Sequence, residues 1–328
     1  MRIGFSPSVY EHAAFLINRR PWEVSRRADL MVAGHRRAYE LYNPAAIIVG
    51  IDIYNLEAEA YGAEVVDAGG VGIPAIVEPL FTDLDAAGDI TPFDPAKDGR
   101  LPMIIECGMK LAEVMPPEKV HIPVSGPFSI ASNLLGFDTL LLEAALRPER
   151  VRHFLFRLVE GQLAFCRAIV EQGLSIALFE SAAVPPLLSP QQFEEIELPP
   201  LAELMQRIKK ECGVHAQLVL GGNTAPLVDL MASTGTTYLI CPAETDRQAF
   251  MSQVVKYPYI TVRVNLLPEL VVKGPIPRIL TAVDEILELA GKVPNRILLG
   301  TGAVPYETPP EHILAIKEYA AREDPNRS

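Results

Sequence analysis

Ser175-Ile176-Ala177-Leu178-Phe179-Glu180 is a short apolar run closed by an acid, and after a brief connection Ser189-Pro190-Gln191-Gln192 opens a helix. The run has the length and residue types of a buried strand. The Ser-Pro-x-Gln piece offers a cap hydroxyl, a first-turn proline and an amide that can return to the cap. Strand followed by helix is the repeating unit of parallel α/β folds.

Moving outward, the unit recurs. Candidate strands fall at Arg2–Ser6, Ala46–Asp52, Val120–Val124, Ser175–Glu180, Val214–Val219, Thr237–Cys241, Tyr259–Val264 and Arg296–Thr301. Thr308-Pro309-Pro310-Glu311 is a second helix start, and Ser25–Tyr42 has apolar residues at helical spacing with arginines between them, as a covering helix does. Eight strand–helix units in a chain of 328 residues predict a TIM (β/α)8 barrel, one domain over 1–328. Pro79–Pro102, rich in Asp, Pro and Gly, interrupts the alternation and is expected to form a lid or mouth loop at the C-terminal face.

Composition narrows the partners. Lys and Arg number 29 against 41 Asp and Glu, a net charge of −12, with 49% hydrophobic and 21% charged residues. Such a chain collapses around a large core. Its basic clusters are short, Arg26-Arg27 and Lys209-Lys210, which argues against a nucleic-acid partner. Cys107, Cys166, Cys212 and Cys241 have no metal or disulfide spacing and read as reduced thiols. With no apolar leader and no run of eighteen apolar residues, the expectation is a cytoplasmic protein without a membrane partner.

In a barrel the chemistry lies where strands end. The polar residues that close apolar runs are Asp52 and Glu180; His215 and Gln217 lie in a third run, and Thr301 stands between Gly300 and Gly302. An acid at a strand end can equally cap a helix, and a single histidine such as His215 can be a structural one. Tyr54, Phe128 and Tyr306 fall near strand ends and would line an apolar pocket or simply pack. Leu220-Gly221-Gly222-Asn223 and Ser125-Gly126-Pro127-Phe128 lack the spacing of phosphate-binding or nucleophile loops and read as tight turns.

Several pieces in order resemble the uroporphyrinogen decarboxylase superfamily: Ile51-Asp52-Ile53 with Glu59-Ala60-Tyr61-Gly62-Ala63, Val124 to Ser132, Leu188 to Phe193, Val264-Asn265-Leu266, and Thr308 to His312. The resemblance implies the same barrel and two chemistries, tetrapyrrole decarboxylation and corrinoid-linked methyl transfer on zinc. Decarboxylases of the family grip a polycarboxylate with an arginine-rich N-terminal motif. Here no arginine lies between Arg2 and Arg19, and Thr301 replaces the histidine of a C-terminal Gly-His-Gly, although Asp52 matches the family aspartate. The coenzyme M branch has His-x-Cys and a distant Cys, which places His215, Gln217 and Thr301 at those positions.

A third branch, which demethylates methoxylated aromatics, has a Glu-x14-Glu-x20-His zinc motif. Glu180 and Glu195 satisfy the first spacing, Glu194 and His215 the second. The resemblance thus implies zinc on Glu180, Glu194 (or Glu195) and His215, with Gln217 or Asp52 as substitutes, and Asp52, Tyr54, Glu180 and His215 as catalytic groups. The expected activity is transfer of a methyl group from a small methylated donor, a methoxylated aromatic, to Co(I) of a separate corrinoid protein. Methyl transfer from the corrinoid to another acceptor, a decarboxylase-like reaction, and an inactive barrel that binds the corrinoid protein are the alternatives. A homo-oligomer is compatible with the sequence.

Overall fold

The computed structural model describes residues 3–323, and Arg2, expected to open the first strand, lies outside them. Eight parallel strands curl into a barrel: β1 (Gly4–Ser8), β2 (Ile47–Ile48), β3 (Val120–Ser125), β4 (Ser175–Phe179), β5 (Gln217–Val219), β6 (Tyr238–Cys241), β7 (Thr261–Asn265) and β8 (Ile297–Ala303). They form two hydrogen-bonded arcs, β2-β3-β4-β5 and β1-β8-β7-β6. The Ala45 N–H donates to Phe5 O at 2.7 Å where the first arc meets the second, and β5 packs beside β6 where they meet again. The strand-and-helix alternation is therefore the (β/α)8 barrel expected of it.

Strand boundaries differ from expectation at two informative places. β2 is short because Gly50, at φ +140°, turns the chain out of the ladder after Val49. β5 begins only at Gln217, so His215 precedes the strand.

The helices bury the stripes their sequences predict. Leu101–Ala112 buries Leu101, Ile104, Cys107, Gly108 and Leu111, one face of a 3.6-residue repeat. Gly108 lets that face approach the barrel, since a Cβ there would stand 2.7 Å from Ile122 Cδ1 and 2.8 Å from Leu174 Cδ1. The helix expected after Ser189 starts with a capping box: Ser189 Oγ accepts from Gln192 N, and Gln192 Oε1 accepts from Ser189 N. Pro310–Glu323 also follows its start signal, but Thr308 Oγ1 donates back to Pro305 O instead of capping the helix. No single helix among the described residues is long and apolar enough to cross a membrane.

Pro79–Pro102 is an insertion that packs against the outer helices. Its Leu84, Ala87 and Phe93 are buried, Arg150 of the Pro148–Glu171 helix pairs with Asp85, and the ring of Phe93 meets Tyr61 edge-on at 4.9 Å. The apolar residues scattered among its acids were enough to dock it on the outer helices.

Candidate functional site

The C-terminal ends of the strands enclose a cavity of about 230 Å³. Its walls are aromatic: Phe179 meets Tyr10 edge-on at 6.4 Å and Tyr54 edge-on at 6.0 Å. Larger hollows of about 430 and 600 Å³ are grooves between outer helices and contain no strand-end residue.

Strand pleating decides which side chains enter the cavity, because successive residues face opposite sides. Phe179 and Ser181 point in, and so do Ile53 and Tyr54 beyond β2, Val219 and Gly221 on and beyond β5, and Arg263 and Asn265 on β7. Two polar arrangements result. In the first, the Gly221 N–H donates to Ser181 Oγ at 2.9 Å, and Ser181 Oγ lies 2.6 Å from the Tyr54 hydroxyl. Burial raises the Tyr54 hydroxyl far above the ordinary tyrosine range, so it keeps its proton.

The second is a set of buried polar atoms: Arg263 Nε and Asn265 Oδ1, which have no partner, and Ser8 Oγ, which lies beside the Tyr10 hydroxyl. Arg263 is only 6% exposed, and no carboxylate among the described residues pairs with it. Its stem crosses Gly300, where a Cβ would lie 2.8 Å from Arg263 Cγ and 2.2 Å from Asn265 Oδ1. Tyr10 does not neutralise it: burial pushes that hydroxyl up to about 12, and the nearby Arg263 charge offsets only part of the rise. Taking a guanidinium out of water without a counter-ion costs on the order of several kcal/mol.

The expected site residues separate. Tyr54 lines the cavity. Asp52, in the bend that follows Gly50, turns away and accepts both arms of the Arg100 guanidinium at 2.8 and 2.6 Å, with Asn55 Nδ2 at 3.1 Å. Glu180 likewise points outward from between Phe179 and Ser181. Its Oε2 accepts the Phe128 and Ser129 N–H groups at 3.0 and 3.2 Å, and its Oε1 accepts Ser129 Oγ at 2.6 Å. It holds the first turn of the Pro127–Leu135 helix, the capping role open to a strand-end acid. Burial raises its carboxyl pKa, although its Ser129 donors oppose the shift. Glu197, buried beside it, is raised well above the carboxylate range by burial and by the Glu180 charge, so Glu197 retains the proton of this pair.

The zinc expectation does not survive this geometry. Glu194 and Glu195 are exposed on the turn Phe193–Glu197, which sends Glu197 inward instead. His215 is exposed and Gln217 half-buried, and both face a hollow at the opposite, N-terminal end of the barrel with Ser6, His121 and Ser175. Their strand reaches the mouth four residues later, with Val219 and Gly221. Among the described residues no group of three His, Cys, Asp or Glu side chains converges, so the residues present do not fit the zinc centre. Thr301 is buried with Oγ1 donating to Gly302 O, Phe128 belongs to the core, and the Tyr306 hydroxyl donates to Arg19 O. None of the three lines the cavity.

Ser8, Tyr10, Ser181, Arg263 and Asn265 were not anticipated as site residues. Arg263 had a signal: Thr261-Val262-Arg263-Val264-Asn265 alternates polar and apolar, with a charge at the centre of a strand.

Residues 7–322 match the family described as Uroporphyrinogen decarboxylase (URO-D). The chain is 25% identical over 242 residues to the "Methylcobamide:CoM methyltransferase MtaA" of Methanosarcina barkeri (strain Fusaro / DSM 804), covering 72% of this chain and 68% of that one. It is 24% identical over 300 residues to the "Uroporphyrinogen decarboxylase" of Trichodesmium erythraeum (strain IMS101), covering 89% and 81%. Among solved structures, a "methyltransferase from Methanosarcina mazei" superposes with a TM-score of 0.79 at 21% identity, over 98% of this chain and 94% of that one, a likeness of fold.

Proposed function

Because the chain belongs to the uroporphyrinogen decarboxylase family, we propose that it is a methyltransferase that takes the methyl group of a small methoxylated aromatic and delivers it to Co(I) of a separate corrinoid protein. The cavity carries this reading. At about 230 Å³ it falls below the roughly 300–1,000 Å³ that holds drug-sized ligands, and it has one arginine, a poor match to a tetrapyrrole with many carboxylates. Its edge-on aromatic walls suit a flat ring. The methyltransferase names of two curated relatives supply the class of reaction and the corrinoid partner. Methyl delivery to a thiol, which the name of those relatives implies for them, has less support in this cavity. Cys241 ends β6 but stays outside the lining, and burial pushes its thiol up to about 12.

When docked over the mouth, the corrinoid supplies the cobalt nucleophile that accepts the methyl carbon. The chain's own task is to make the ether oxygen leave. Ser181 Oγ, accepting the Gly221 N–H, donates its O–H hydrogen bond to the Tyr54 oxygen, which leaves the Tyr54 O–H free to point at the substrate. As the C–O bond breaks, both of its electrons stay on the phenolate oxygen, and Tyr54 hydrogen-bonds the charge that develops there. The raised pKa of Tyr54 keeps that proton in place at neutral pH. Phe179 and Tyr10 fix the ring plane, which aligns the methyl carbon with the open mouth.

The test is anaerobic mixing of the chain with a Co(I) corrinoid protein and a panel of methoxylated aromatics. The expected result is loss of the Co(I) spectrum with release of the free phenol, slowed about 100-fold in Tyr54→Phe. No turnover across the panel, together with decarboxylation of uroporphyrinogen, would reverse the assignment.

A further inference from the structure

We infer that Arg263, Ser8 and Asn265 form a seat for a single carboxylate, so that the substrate of the reaction proposed above is a small aromatic monocarboxylate bound with its acid group on the barrel side and its methyl group toward the rim. The inference takes that reaction as its frame but stands on separate observations. Two buried polar atoms of β7, Arg263 Nε and Asn265 Oδ1, are left without partners in the same cavity, and Ser8 of β1 lines it with its hydroxyl beside that of Tyr10. Buried polar groups in native proteins are otherwise paired, and each exception calls for a missing partner. Here the exceptions cluster.

The chemistry of the set selects the partner. Arg263 is a permanent cation whose planar fork of N–H groups matches the two oxygens of a carboxylate. Ser8 adds a hydroxyl donor and Asn265 the N–H groups of its amide, whereas the orphaned Asn265 Oδ1 is an acceptor that a carboxylate does not fill. The neighbouring hydroxyls of Tyr10 and Tyr54 stay protonated, and Glu244, the carboxylate in the cavity lining, is exposed and forms no ion pair with Arg263 among the described residues, so the guanidinium is left open to an anion from outside. One cation in a small cavity suits one negative charge.

Register supplies the orientation. Arg263 pairs with Leu298 and Ile240, two residues below Asn265 and Gly300, and its stem climbs across Gly300 into the cavity. Tyr54 and Ser181 lie past the ends of their strands, nearer the rim. An acid group on Arg263 therefore leaves the far end of the ring beside Tyr54, within reach of a partner docked from solvent.

Binding can be read without any corrinoid. Calorimetric titration of the purified chain compares 4-methoxybenzoate with its neutral amide, 4-methoxybenzamide. The expected result is at least tenfold tighter binding of the acid by the wild type, loss of that preference in Arg263→Met with amide binding unchanged, and partial recovery in Arg263→Lys. Equal affinity for acid and amide, no binding of the acid, or an undiminished preference in a folded Arg263→Met variant would overturn the seat. An intact acid preference in a chain that demethylates nothing overturns the reaction and leaves the seat. Turnover of neutral methoxybenzenes with no acid preference does the reverse.

Discussion

Arg100 and Arg263 are almost equally buried, at 7% and 6% exposure, yet they live in opposite electrostatic worlds. Arg100 is saturated: both arms rest on Asp52, Nε donates to Glu59 at 2.5 Å, and Nη1 also reaches Ser25 O at 3.0 Å. These bonds tie the loop before Leu101–Ala112 to β2's exit and to the helix Leu56–Ala60. Arg263 has none of this and instead faces a cavity with its Nε unpartnered. A buried charge answered from within the chain holds the fold together. One left unanswered weakens the fold and is retained for something from outside.

The sharpest way to break this contrast is to remove the saturated arginine. Arg100→Met strands Asp52 and Glu59 without their cation and is expected to cost about 3–5 kcal/mol of unfolding free energy, measured by urea denaturation. A loss below 1 kcal/mol would mean that the two acids find other partners.

Glu57 sharpens the same contrast within one helical turn. Glu59 has Arg26 and Arg100, whereas Glu57 has the uncharged donors of Ser125, whose N–H lies at 2.7 Å, and burial pushes its carboxyl up to about 7. The folded chain holds this proton more tightly than the unfolded one. Its contribution to stability is therefore greatest below about pH 4.5 and declines by about 3 kcal/mol as pH rises to about 7, then stays level. Urea titrations across that window should show the decline diminished in Glu57→Gln; an unchanged slope would assign it to other groups, among them Glu11, whose buried carboxyl is also raised to about 7.

Arg263→Met should move stability the other way, raising the unfolding free energy by about 1–2 kcal/mol, visible as a higher Tm. A lower Tm would place Arg263 with Arg100 as a structural residue. The smallest effect belongs to His215→Ala. At an exposed position on the far end of the barrel it should stay within about 0.5 kcal/mol and leave turnover intact, and a large loss of turnover would restore the histidine to the site.

The barrel was legible because strand and helix periods are local properties, and Ser175–Glu180 with its capping box shows both within eighteen residues. The site was less so. Choosing the residue that closes each apolar run selected Asp52 and Glu180, but nothing local says which face of the pleat looks at the axis, and one step of phase hands the cavity to Ser181, while the bend after Gly50 hands it to Ile53 and Tyr54. His215 failed differently, since the run Val214–Val219 joins the ladder only at Gln217 and its mouth end lies beyond the apolar residues. Asp52's true partner is 48 positions away, a separation that no motif spacing records. Arg263 was visible as a charge inside a strand, and its missing counter-ion could be recognised only once its neighbours were known.

Gly300 has a consequence that reaches past this chain. The Arg263 stem and the Asn265 amide oxygen occupy the volume where any other residue would carry its first side-chain carbon. A one-carbon edit, Gly to Ala, would evict both groups while leaving every wall of the chamber in place. Descendants of such a barrel could thus trade an acidic cargo for a neutral one in a single step, and the residue to inspect first when comparing their diets is the one that has no side chain at all.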